Sequence, residues 1–225
     1  MPASIQRELL SLADIPYKQF QGALIPTMPA ERMIGVRMPH LRKIAKKIQG
    51  STKECIFLGI LPHAYHEEDL LHALLLCEMQ DFTACIAQTE RFLPYISNWA
   101  ICDSLRPKCF LQHKKELLPY LRKWLSSSHT YTVRFAIEML MMHFLDEDYD
   151  EAFPLAVTSV QSEDYYVNMM IAWYFATALA KQRETVLPYF TSSLLPPDVR
   201  KKAIRKALES YRIDTETKLF LKTLT

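Results

Sequence analysis

The chain has 225 residues, 49% hydrophobic and 23% charged, which is enough for one large domain or a continuous solenoid of ordinary soluble composition. Four glycines argue against a β-rich fold built on glycine turns, and a net charge of +2 excludes a strongly basic polyanion binder as a whole. No apolar run reaches the roughly 18 residues of a membrane span. The first residues, Met-Pro-Ala-Ser-Ile-Gln-Arg-Glu, lack the charged-then-apolar layout of a signal peptide, so a cytoplasmic protein is expected.

In chain order, a first helix is expected near residues 3–13. Prolines at 16, 26 and 29 then leave room for only a short helix, and Pro39 opens the next one as a favourable first-turn residue. The segment 68–79 is apolar nearly all round, as a helix buried between neighbours should be. Leu93-Pro94-Tyr95, Leu118-Pro119-Tyr120, Phe153-Pro154 and Leu187-Pro188-Tyr189 then mark recurring units. Each of the last three is followed by a second helix, at Val133-Arg134-Phe135, Val167-Asn168-Met169 and Val199-Arg200-Lys201. The period is 32 to 35 residues, one helical hairpin per repeat. In 130–145, Val133, Ile137, Leu140, Met141 and Phe144 form one apolar stripe. Ser128, Ser162 and Asp198 are candidate N-caps of the second helices.

No segment sustains period-two alternation, so the fold is expected to be all-α. Degenerate HEAT-like hairpins fit better than tetratricopeptide or ankyrin repeats, whose consensus residues are missing. The expected organisation is a single domain over 1–225, with an atypical N-terminal cap at 1–33 and antiparallel hairpins over 34–225 forming a concave cleft. Met141, Met142, Met169 and Met170 read as adaptable core packing.

Cys55, Cys77, Cys85, Cys102 and Cys109 are odd in number and form no C-x-x-C pair, so they read as reduced core or near-core thiols. His63 and His66, three apart, lack the further ligands of a metal site and read as loop and helix-start residues. Charge is segregated: Arg42, Lys43, Lys46 and Lys47, then Arg200, Lys201, Lys202, Arg205 and Lys206, stand against an acidic block from Asp146 to Glu151. Such a chain can offer phosphates a positive stripe, although basic runs on helices are usually solvated faces.

Four residues stand out. Trp99 and Asp103, at i and i+4, put an indole and a carboxylate on one helical face. Arg134 comes about one repeat later and Trp173 on the repeat after that. If the repeats stack, the four converge on a concave surface suited to a sugar-phosphate. Each also has a plain structural role open to it. The tryptophans can pack between repeats, Asp103 can pair with Arg106, and Arg134 can bridge hairpins.

On Ile34-Gly35-Val36-Arg37-Met38-Pro39-His40-Leu41-Arg42, Asn98-Trp99…Asp103, Val133-Arg134-Phe135-Ala136, Ile171-Ala172-Trp173 and Arg200…Ala203-Ile204…Tyr211, the chain resembles the HEAT-like-repeat alkylpurine DNA glycosylases, the AlkD family. The resemblance covers nearly everything beyond residue 30. It implies a DNA-repair enzyme that hydrolyses the N-glycosidic bond of cationic N3- or N7-alkylated purines in duplex DNA, without swallowing the flipped base. It implies Asp103 as the catalytic carboxylate, Trp99 and Trp173 as walls around the deoxyribose, and Arg134 as a backbone contact. Arg37, Lys201 and Lys202 join Arg134 as candidate DNA-backbone contacts. No metal or other cofactor is implied, and a monomer is expected.

The family's active members carry an N-terminal helix that reaches the minor groove. Here the matching stretch, Pro16 to Pro29, is short and interrupted by prolines, and Ala176 follows Trp173 where a basic residue would help hold the backbone. A weakly active or inactive paralog that only binds DNA, or a protein-binding solenoid, are the alternatives.

Overall fold

The computed structural model describes residues 2–224; Met1 and Thr225, the end residues of the expected domain, lie outside the described residues. The chain divides into two compact units, Met1–His113 and Lys114–Thr225. Among the described residues every regular element is helical. None of the helices is long and apolar enough to cross a membrane.

The first unit contains α1 (Pro2–Ser11), α2 (Ile15–Leu24), α3 (Met38–Ile48), α4 (Thr52–Leu58), α5 (His66–Cys77), α6 (Phe82–Phe92) and α7 (Trp99–Cys102). The expected short helix between prolines is α2. Pro16 does not interrupt it, because it falls in the first turn, where a missing N–H costs no helical hydrogen bond. Asp14 caps α2 by accepting from the Tyr17 amide at 2.9 Å.

The helix expected to be buried all round is α5, but its burial includes charge. His66, Glu67, Glu68, Asp69 and His72 are all buried with its leucines. Each carboxylate of this acidic first turn is met by backbone amides or by arginine. Glu67 accepts from the amides of Ile34 at 2.9 Å, Gly35 at 2.6 Å and Val36 at 3.3 Å. Glu68 accepts from Ala64 and Tyr65, both at 3.0 Å. Arg32 reaches Asp69 at 3.3 Å and donates to the carbonyls of His63 and Ala64. Burial pushes the Asp69 carboxyl up to about 8 against the pull of Arg32.

Gly35 completes this junction. Its φ of +96° favours glycine, and a Cβ there would stand 2.5 Å from the Asp14 carbonyl oxygen and 2.8 Å from Lys18 Cβ. The Gly35 carbonyl also accepts from the Asp14 amide at 3.1 Å. The segment entering α3 is thus clamped between α5 and the start of α2.

The second unit contains α8 (Lys114–Leu125), α9 (Thr130–His143), α10 (Ala152–Thr158), α11 (Tyr165–Lys181), α12 (Arg183–Thr191), α13 (Pro197–Glu209) and α14 (Thr215–Lys222). The recurring prolines fall where expected, in the helix preceding each buried one: Pro119 in α8, Pro154 in α10 and Pro188 in α12. Neighbours α9 and α11 pack together, and α13 packs on α11. Their apolar faces form the core around Phe135, Ile137, Tyr174, Phe175 and Ala203.

The caps differ from expectation. His129 caps α9 by accepting from the Thr132 amide, Asp164 caps α11 by accepting from Tyr166 and Val167, and Pro196 precedes α13 with no side-chain cap. Ser162 instead accepts from the Asp164 amide at 3.1 Å, and Asp198 lies inside the first turn of α13. In each case the chain enters the helix one or two residues away from the expected cap. Four of the five cysteines are buried as expected, whereas Cys55 is exposed; all are free thiols.

Candidate active site

In the first unit, Trp99 opens α7, a single turn, and Asp103 caps its end. Asn98 starts it: its side-chain oxygen accepts from the amides of Ala100 at 3.0 Å and Ile101 at 3.2 Å. The Asp103 amide donates to the Trp99 carbonyl at 2.9 Å and closes the turn. The indole and the carboxylate therefore share one face, as the i, i+4 spacing requires.

This turn is anchored from beneath and beside. Asn98 is fully buried, and its Nδ2 lies 3.4 Å from His66 Nδ1 at the head of α5. The Trp99 indole N–H donates to the Leu24 carbonyl, at the end of α2, at 3.2 Å. Trp99 is thus held by its polar edge and is only partly buried, as is Asp103. A partly exposed carboxylate one turn from a fixed aromatic wall is an arrangement able to stabilise a developing positive charge.

Behind α7 lies an aromatic and histidine stack. His63 stacks on Phe57 at 4.6 Å between ring centroids, and His72 stacks on Phe92 at 4.1 Å. His63 Nε2 and His72 Nδ1 are 2.9 Å apart, so one nitrogen donates to the other. Burial drives both rings toward the neutral form, His63 down to about 4 and His72 to about 3. His63 sits in a loop and His66 opens α5, as read from sequence; the burial of both was not legible there.

Arg37 precedes α3. Its Nε donates to Asp14 at 2.9 Å and its guanidinium lies 4.7 Å from the Tyr17 ring centroid, while half the side chain stays exposed. The Arg37 guanidinium and the Tyr17 amide together hold the Asp14 carboxyl below its usual range, the amide bond being the larger influence.

In the second unit, Arg134 lies in the second turn of α9 and is only 5% exposed. Its Nη1 donates to the Tyr166 carbonyl at the start of α11, at 2.8 Å, so it bridges α9 and α11. Trp173, midway along α11, is 39% exposed and is not a core residue. Lys206 of α13 places its Nζ 5.6 Å from the Trp173 ring centroid. Lys201 is exposed and Lys202 half-buried on the same helix.

Sequence reasoning missed Glu67, the His66–Asn98 contact and the Lys206–Trp173 pair. The basic run that contains Lys206 was visible; which of its members meets an aromatic depends on how α11 and α13 pack. Trp99 and Asp103 are brought together in one unit, and Trp173 gains its cationic neighbour in the other.

A family model described as DNA alkylation repair enzyme matches residues 5–209. The match takes in most of α1 and all of α2, which precede the stretches that carried the resemblance, and stops before Tyr211. No curated protein matches the chain.

Proposed function

The chain belongs to the DNA alkylation repair enzyme family, and on that premise we propose that it is a glycosylase hydrolysing the N-glycosidic bond of cationic N3- or N7-alkylated purines in duplex DNA. The helices of each unit are read as HEAT-like hairpins. The observation that carries the reading is the Asn98-capped turn of α7, which fixes Trp99 and Asp103 on one face.

Loss of the purine leaves oxocarbenium character on the sugar. The Asp103 carboxylate stabilises that charge and orients water toward C1′, as the second carboxylate does in glycoside hydrolysis. An alkylated purine carries its own positive charge and leaves as a neutral base, so the step demands no general acid. Trp99 and Trp173 supply aromatic walls, each adding cation–π attraction of about 0.5–2 kcal/mol. Lys201, Lys202 and the exposed half of Arg37 contact the DNA backbone. Arg134, 5% exposed, is the fourth such contact, with its orientation set by the Tyr166 carbonyl.

The test is release of 7-methylguanine and 3-methyladenine from methylated duplex DNA, wild type beside Asp103→Asn. The expected outcome is wild-type excision that falls about 10²–10³-fold in the variant while the circular dichroism spectrum is unchanged. Folded wild-type protein that releases no base above spontaneous loss would overturn the glycosylase reading.

A further inference from the structure

Helix α13 carries five basic residues, and among the described residues two of its lysines are left without the carboxylate partners that hold Lys114, Lys181 and Arg205. Lys114 and Lys181 are each held at 2.6 Å by an aspartate, Asp148 and Asp146, and Arg205 is paired with Glu209 on its own helix. Among the described residues no carboxylate pairs with Lys202 or Lys206. The two are four residues apart, hence on one face of α13 and about 6 Å apart along its axis. Lys201 is turned about 100° away from Lys202.

Lys206 is set over an indole. Its Nζ lies 5.6 Å from the Trp173 ring centroid, and that indole is 39% exposed. A partly exposed indole with an ammonium over its ring matches two adjoining parts of a nucleotide backbone. The apolar C–H face of a deoxyribose packs on the ring, and a phosphate oxygen accepts from the ammonium. A second ammonium one helical turn away can reach the next phosphate of the same strand.

We propose that Lys206, supported by Lys202, grips the phosphodiester adjoining the deoxyribose that packs on Trp173. This rests on the reading above that duplex DNA is the partner, and it adds the residue that holds the strand against the aromatic wall. It also gives the ammonium, not Ala176, the backbone-holding role beside Trp173. Lys206 is a positioning residue and takes no part in bond cleavage.

The experiment is fluorescence anisotropy of a labelled duplex carrying one tetrahydrofuran abasic analogue, titrated with wild type, Lys206→Gln, Lys206→Arg, Trp173→Phe and the Lys206→Gln/Trp173→Phe double variant at several salt concentrations. Loss of one phosphate contact should lower the magnitude of the log affinity against log salt slope by about 0.9. Affinity of Lys206→Gln should fall about three- to tenfold near 0.1 M salt, Lys206→Arg should keep the wild-type slope, and the effect of Lys206→Gln should shrink in the Trp173→Phe background. A wild-type slope and affinity in Lys206→Gln, or no binding by wild type, would overturn the contact. Base release measured on the same preparations separates the two readings. Excision by wild type with an unchanged Lys206→Gln slope removes the contact alone, and a lysine-dependent slope without excision keeps the contact and removes the glycosylase.

Discussion

Replacing Glu67 with glutamine should lower the unfolding temperature of the chain markedly, although the side chain keeps its shape. The carboxylate accepts three backbone hydrogen bonds: Oε1 from Gly35 and Val36, Oε2 from Ile34. A glutamine keeps one oxygen and turns the other position into a donor facing an N–H. At least one buried amide is orphaned, and the remaining bonds lose their charge assistance. A hydrogen bond to a charged group contributes about 1.5–3 kcal/mol, and a buried group left unsatisfied costs about 1–3 kcal/mol. The expected loss is therefore about 3–5 kcal/mol, a large part of the 5–15 kcal/mol typical of a domain. For a chain of this size that is a fall in Tm of about 6–10 °C, read by circular dichroism at 222 nm. Gly35→Ala, which forces a Cβ against the Asp14 carbonyl, should act on the same junction, so the two losses should not add. The exposed Glu31→Gln is the control. A fall of less than about 2 °C in Glu67→Gln would refute the claim that this carboxylate clamps the entry to α3.

Stability should also drop steeply in mild acid. His63, His66 and His143 are lowered by burial to about 4, and His72 to about 3. Below the ordinary histidine value of 6.5 the unfolded chain takes up these protons and the folded chain does not, so stability present at pH 7 is lost as pH falls from 6.5 toward 4. Asp69, raised to about 8, works in the opposite sense, holding its proton in the folded state and favouring the acid side. Four histidines against one aspartate leave a net loss, expected as a Tm at pH 5 at least about 5 °C below that at pH 7. A pH-independent Tm over that range would contradict the buried neutral histidines. Arg134→Ala should cost about 2–4 kcal/mol because it strips the Tyr166 carbonyl of its donor and empties a buried volume, with Arg134→Lys recovering part of it; urea denaturation at pH 7 decides, and an unchanged midpoint would remove the bridging role.

The helical class, the 32-to-35-residue spacing and the placement of prolines were legible because they depend on local pattern. The i, i+4 relation of Trp99 and Asp103 was legible for the same reason, since one turn of helix enforces it. The fate of α5 was only half visible. Its leucines announced burial, but no local pattern tells that the fold brings the amides of 34–36 to Glu67 and Arg32 to Asp69. Arg134 shows the same limit: its place near the start of α9 was legible, but its hydrogen bond to the Tyr166 carbonyl depends on how α9 and α11 pack. The caps of α9 and α11 were misplaced by one or two residues because serine, aspartate and histidine can all accept from a free amide. Only the chain path into the helix selects among them.

The attachment of α2 bears on how this protein could change over evolutionary time. None of its residues is buried. It is moored at its two ends, by Asp14 and Tyr17 against Arg37 and by the Leu24 carbonyl against the Trp99 indole. Its outer face, with Ile15, Phe20 and Leu24 exposed, can therefore be rewritten without disturbing the core. The moorings can stay constant meanwhile, because one is a backbone carbonyl that every residue supplies. Releasing the helix breaks these polar ties and uncovers little apolar surface, so it opens well below the cost of global unfolding. Because one tie is the indole N–H of a proposed catalytic wall, drift in the outer helix and the set of the site are mechanically linked through a single hydrogen bond.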